Sequence, residues 1–108
     1  MKKAIQRILQ ALLGFDRYLL WFSWFKIKTL RGDGKNKEGD FNFFLTLLDK
    51  SDHMLDIGAN IGIMTVLMGQ RCPEGCVYAF EPVPENFKAL ERIVDFMGLR
   101  NARLFPIA

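Results

Sequence analysis

The stretch His53-Met-Leu-Asp-Ile-Gly-Ala-Asn-Ile-Gly62 constrains this chain more than any other. It joins a short apolar run to a helical pattern through a glycine-bounded turn. Met54 to Ile57 has the composition of a strand buried in a parallel sheet. Gly58 leaves that run where the chain must turn sharply, and with no Cβ its backbone can approach a ligand closely. Gly62 stands at the start of a helix running from Ile63 to about Gln70, where a missing side chain permits tight strand–helix packing. Asn60 lies between them, and asparagine is the side-chain-bearing residue that best tolerates a left-handed conformation.

Strand and helix patterns then alternate. Pro73-Glu-Gly75 turns the chain, and Cys76 to Phe80 reads as a second strand. Pro84 opens a helix that ends at Gly98, and Arg103 to Ile107 reads as a third strand. Two consecutive βαβ units joined by right-handed crossovers place the strands in the order 3-2-1. The expected fold class is α/β, a partial, three-layer Rossmann-like unit preceded by N-terminal helices. A nucleotide-binding domain of this kind needs five or more strand–helix units, so a chain of 108 residues is expected to hold only its N-terminal half.

Glu81 falls 19 residues after Gly62, at the tip of the second strand. A carboxylate there can accept hydrogen bonds from both hydroxyls of a ribose. The loop decides which nucleotide. G-x-G-x-x-G is absent, and without its glycines the backbone is poorly suited to clasp a pyrophosphate. Asp56 instead places negative charge beside the loop, which repels a pyrophosphate and suits the sulfonium and ammonium of S-adenosylmethionine. A nicotinamide cofactor is the weaker alternative. Pro82 and Pro84 stiffen the exit from the strand and start the next helix. Phe80 and Phe87 read as core, and His53 reads as a boundary residue just before the first strand. Nothing in the chain has the pattern of a general base, so no catalytic residue can be named.

Leu55-Asp-Ile-Gly-Ala-Asn-Ile-Gly62, Val77-Tyr-Ala-Phe-Glu-Pro-Val-Pro-Glu-Asn-Phe87 and Gly98-Leu-Arg-Asn101 closely resemble the FkbM family of S-adenosylmethionine-dependent methyltransferases, over residues 40 to 108. The resemblance implies a class I methyltransferase fold. It implies that Asp56, Gly58, Ala59, Asn60 and Gly62 form the loop around the methionine part of the cofactor, and that Glu81, followed by Pro82, binds the ribose. It also implies O-methylation, often of a sugar or secondary-metabolite hydroxyl, so the expected acceptor is a small molecule or glycan. Family members often carry asparagine near Ile93 and Met97, where this chain is apolar, a change read as drift on a packed helix face. The family continues beyond Ala108 into an adenine-contacting segment, a fourth strand and the substrate-binding elements, so the 108-residue chain alone is expected to be inactive.

The N-terminal part, residues 1 to 39, reads as a separate unit: a basic amphipathic helix from Ala4 to Leu30 and a Gly-rich linker over 31 to 40. Ile5, Ile8, Leu9, Leu12, Phe15, Leu19 and Phe22 recur at helical steps. Residues 1 to 37 carry nine Lys or Arg against Asp16 and Asp33, a local balance of +7 that leaves the rest of the chain at −4. Packing of the greasy face on the rest of the protein is the first expectation. Residues 1 to 30 also suit an anionic membrane surface, with Trp21, Trp24 and Phe25 at headgroup level and Lys26 and Lys28 on lipid phosphates. Asp16 and Arg17 interrupt the apolar run, so no spanning helix is expected. The second half has no basic patch interleaved with aromatics, which argues against nucleic acid. Arg31-Gly-Asp33 is read as a chance tripeptide. Cys72 and Cys76 with a lone His53 fall short of a metal site, and free thiols fit a reducing cytoplasm. The expected location is therefore cytoplasmic, peripheral at the membrane where the N-terminal helix engages lipid. The rival function is a truncated, non-catalytic methyltransferase-like protein that serves as a membrane-surface or partner-binding module.

Overall fold

The computed structural model describes residues 3–32 and 39–108. Three helices, α1 (Lys3–Leu13), α2 (Phe15–Gly32) and α3 (Gly39–Thr46), precede β1 (His53–Ile57), α4 (Ile63–Arg71), β2 (Cys76–Phe80), α5 (Pro84–Phe96) and β3 (Ala102–Phe105). The strands form one parallel sheet in the order β1-β2-β3, with Asp56 opposite Ala79 and Ala79 opposite Leu104. This is the 3-2-1 order expected of two βαβ units. His53 begins β1 rather than preceding it, and β3 starts one residue before Arg103 and stops at Phe105.

Alternation along the strands sends Met54, Val77 and Ala79 to one face of the sheet. There Val66, Leu90 and Ile93 of α4 and α5 meet Ile27 of α2, all fully buried, while Phe41 and Leu45 of α3 close over Met54 and Val77. Each large side chain taken out of water there contributes about 1.5–3 kcal/mol before the entropy cost of ordering it. The opposite face is different. Leu55 and Ile57 remain 68% and 73% exposed, beside Tyr78, Phe80 and Phe105, with Phe80 and Phe105 stacked at 5.0 Å. Among the described residues the layers are therefore helices on one face of a sheet, not the three layers expected of a doubly covered unit.

The single N-terminal helix expected from the periodicity is two helices. Gly14 takes a left-handed conformation, φ +77°, and splits the run although Gly14 N–H still donates to Gln10 O (3.0 Å) and Tyr18 N–H to Gly14 O (2.9 Å). α2 buries Tyr18, Ser23 and Ile27 against the body of the protein. α1 leaves Ile5 and Ile8 48% and 57% exposed, with Lys3 and Arg7 also exposed. Of the expected linker, Arg31 and Gly32 end α2 and Gly39 and Asp40 begin α3, while residues 33–38, including Asp33 of the tripeptide, lie outside the described residues. Asp40 sits in the first turn of α3, which ends at Thr46. None of the described helices is long and apolar enough to cross a membrane.

Both cysteines are free thiols. Cys72 is buried with its Sγ 3.7 Å from Met54 Sδ, and burial, reinforced by the Asp52 carboxylate, pushes its thiol up from the ordinary range. Among the described residues no group of three or more His, Cys, Asp or Glu side chains could hold a metal ion.

Candidate functional site

Where a parallel strand ends, the backbone donors that follow it must still be satisfied, and the chain after β1 uses them to fix its own turn. Gly58 N–H and Ala59 N–H both donate to Phe80 O at the end of β2, at 2.9 and 3.0 Å. Asn60 is left-handed, φ +53°, and Gly62 N–H closes the turn on Ala59 O at 3.0 Å. Val66 N–H then donates to Gly62 O at 3.0 Å, which begins α4.

The two glycines meet different demands. At Gly58, φ +75°, an added Cβ would meet nothing within 4 Å, so the conformation alone selects glycine and the space before the loop stays open. At Gly62, φ +92°, a Cβ would lie 2.7 Å from Leu90 Cδ1 and 2.8 Å from Ile93 Cγ2. The tight packing expected there is real, but its partner is α5 rather than the strand.

Asp56 is half-buried near the end of β1, and its Oδ2 accepts the Thr65 hydroxyl at 2.5 Å. Thr65 lies in the first turn of α4 and is fully buried, so the carboxylate ties strand to helix across the loop. A cavity of about 230 Å³ opens here, lined by Asp56, residues 58–64 and Lys26 of α2. Ala59 is also part of the core, 7% exposed, whereas Asn60 faces solvent.

Glu81 does not line that cavity. It is 2% exposed, and its two oxygens divide between two backbone donors: Oε1 accepts Asn60 N–H at 2.8 Å and Oε2 accepts Val83 N–H at 2.9 Å. Its own N–H donates to Phe105 O at 3.0 Å, which locks the residue to β3. One carboxylate thus holds the left-handed residue of the loop and the entry to α5 together. Pro82 is exposed between these anchors. The structure therefore brings Asp56, Gly58, Ala59, Asn60 and Gly62 around one space and joins Glu81 to it through Asn60.

Three residues of this arrangement were not picked out by sequence reasoning. Thr65 carries a weak signal, a hydroxyl one turn into a helix that follows an aspartate. Asn101 donates through Nδ2 to Gly69 O (3.0 Å) and Cys72 O (2.8 Å) and so holds the C-terminal end of α4. Lys26 reads locally as a lipid-facing lysine, and only the packing of α2 across α4 brings it to the loop.

No protein-family model matches the chain. Over 42 residues it is 36% identical to "Methyltransferase 1" of Beauveria bassiana (strain ARSEF 2860), a match that covers 39% of this chain and 17% of the fungal protein. Coclaurine N-methyltransferase, solved with N-methylheliamine and SAH, superposes with a TM-score of 0.57 at 17% identity, over 64% of this chain and 20% of that one. A SAM dependent methyltransferase from Aquifex aeolicus superposes with a TM-score of 0.56 at 21% identity, over 77% and 46%. An O-methyltransferase family protein from Burkholderia thailandensis gives 0.56 at 11% identity, over 88% and 27%. The chain spans about a sixth of the fungal protein and between a fifth and a half of these solved chains. Its strand order, its glycine turn and these superpositions together give it a β-α-β-α-β unit of the Rossmann-like fold that these methyltransferases share.

Proposed function

We propose that this chain binds S-adenosylmethionine in the crevice between the 58–62 loop and the end of β2, as the cofactor-binding part of an O-methyltransferase of the FkbM type. The observation that carries the reading is the hydrogen bond from Asn60 N–H to Glu81, which fixes the loop and the strand-end carboxylate as one unit at the carboxyl ends of adjacent strands. In this reading Asp56 attracts the cationic methionine end, and the open space before Gly58 admits it. Glu81, with a lone pair of each oxygen not used by the backbone, accepts the ribose hydroxyls. The bound cofactor supplies an electrophilic methyl group. The chain's own residues hold it in place, and positioning of reactants accounts for much of the rate in such transfers. The acceptor is a hydroxyl of a sugar or secondary metabolite, and the protein works in the cytoplasm.

Support for the cofactor comes from the fold shared with methyltransferases and from the missing G-x-G-x-x-G glycines. Calorimetric titration of S-adenosylmethionine and NAD against the chain tests it. S-adenosylmethionine should bind the tighter of the two. Tighter NAD would assign the crevice to a dinucleotide.

The exposure of Ile5 and Ile8 on α1 favours a second property. These side chains, flanked by Lys3 and Arg7, would lie in the interface of an anionic membrane and hold the protein at its surface.

A further inference from the structure

The cavity at the loop has opposite charges in its lining. Asp56 comes from the end of β1 and Lys26 from α2, and the remainder of the lining is the 58–64 segment. Among the described residues Asp56 accepts only the Thr65 hydroxyl, through Oδ2, and Lys26 has only the face of Phe22, 5.8 Å from its Nζ to the ring centroid. Neither charge is neutralised by an ion pair among the described residues. A cation this far from the ring centroid is weakly held, and four methylenes let the ammonium swing towards the loop. A space of about 230 Å³ is too small for a whole nucleoside conjugate and matches one end of it.

A ligand end that satisfies both charges must itself carry both, close together on a short skeleton. An α-amino acid moiety does so: its ammonium suits Asp56 and its carboxylate suits Lys26. A phosphate would satisfy Lys26 and be repelled by Asp56. An uncharged thioether would leave both unpaired. Resting on the cofactor reading above, we propose that Lys26 is a specificity-determining residue which takes the carboxylate of the ligand's amino-acid end. α2 then does more than pack: it brings a cation from outside the βαβ units to the cofactor loop.

S-adenosylhomocysteine and 5′-methylthioadenosine separate this assignment from the cofactor reading, because the second keeps the nucleoside and lacks the amino-acid end. Both are titrated calorimetrically against the full chain, against Lys26→Met and against Lys26→Arg. Lys26→Met should weaken S-adenosylhomocysteine about tenfold, equivalent to ~1.4 kcal/mol, and leave methylthioadenosine unchanged. Lys26→Arg should restore most of the loss, since the guanidinium also pairs with a carboxylate. Equal affinity of Lys26→Met and the parent for S-adenosylhomocysteine, or equal losses for both ligands, would overturn the role of Lys26 and leave the cofactor reading standing. Failure of the parent chain to bind either ligand would overturn both.

Discussion

Replacing Glu81 by glutamine changes one atom and should still loosen the loop. The carboxylate accepts Asn60 N–H through one oxygen and Val83 N–H through the other, at 2.8 and 2.9 Å, in a side chain only 2% exposed. A glutamine amide has one acceptor oxygen, and its NH₂ can only donate. Whichever way it is turned, one backbone N–H faces a second donor. The lost charge-assisted bond is worth about 1.5–3 kcal/mol, and a donor left unpaired away from water costs about 1–3 kcal/mol. These describe the same event from two sides and are not summed, so a net loss of about 2 kcal/mol is expected. With a urea dependence of about 1–3 kcal/mol per molar for a small domain, the unfolding midpoint should fall by roughly 1 M. Hydrogen exchange locates the damage: the amides of Asn60 and Val83 should lose protection. An unfolding midpoint and exchange rates equal to those of the parent would refute the two-donor argument, and with it the claim that Glu81 organises the loop before any ligand arrives.

Other perturbations test other parts. Gly62→Ala should destabilise by about 2–4 kcal/mol, from left-handed strain plus the clash with Leu90 and Ile93, whereas Gly58→Ala, with strain and no clash, should cost about 1–2 kcal/mol; equal urea midpoints for the two variants would remove the packing role of Gly62. Asn101→Ala leaves Gly69 O and Cys72 O without their side-chain donor and should lower stability by about 1–3 kcal/mol in the same assay. Co-sedimentation should show binding to vesicles rich in anionic lipid that weakens at high salt, and Ile5→Asp with Ile8→Asp should abolish it; equal binding to neutral vesicles would remove the electrostatic part. The apolar sheet face, with Leu55 and Ile57 exposed beside a β1 edge that is unpaired among the described residues, should drive self-association that Leu55→Lys reduces in light scattering.

The elements of the βαβ units were legible because their signals are local. Met54 to Ile57 and Cys76 to Phe80 are short apolar runs bounded by turns, and Pro84 and Gly98 mark the two ends of a helix. Much of the loop was legible too, since glycine at 58 and 62 and asparagine at 60 report backbone conformation directly, and all three have positive φ. What was not legible depends on contacts between distant segments. The turn at Gly14 splits a periodic helix without disturbing its periodicity. Lys26 stands in a run of aromatic and basic residues that reads as lipid-facing, and its place at the loop comes from the burial of Ile27 among α4 and α5 residues. Glu81 was singled out for its position, yet its use by two backbone donors could not be read from its spacing.

These contacts also bear on how ligand binding and acceptor choice divide within the fold. The donors at Gly58, Ala59, Asn60 and Gly62 are satisfied by Phe80 O, Glu81 and Ala59 O without a ligand, so little ordering entropy remains to oppose binding. The scaffold of the loop is the end of β2, the middle strand, braced in turn by Phe105 O of β3 through Glu81 N–H. The sheet face and the β1 edge that stand uncovered among the described residues lie outside that bracing. Under the proposed function, changes on that side can therefore alter what approaches the crevice while the loop geometry stays fixed, so a cofactor cradle of this build can be kept while the acceptor varies.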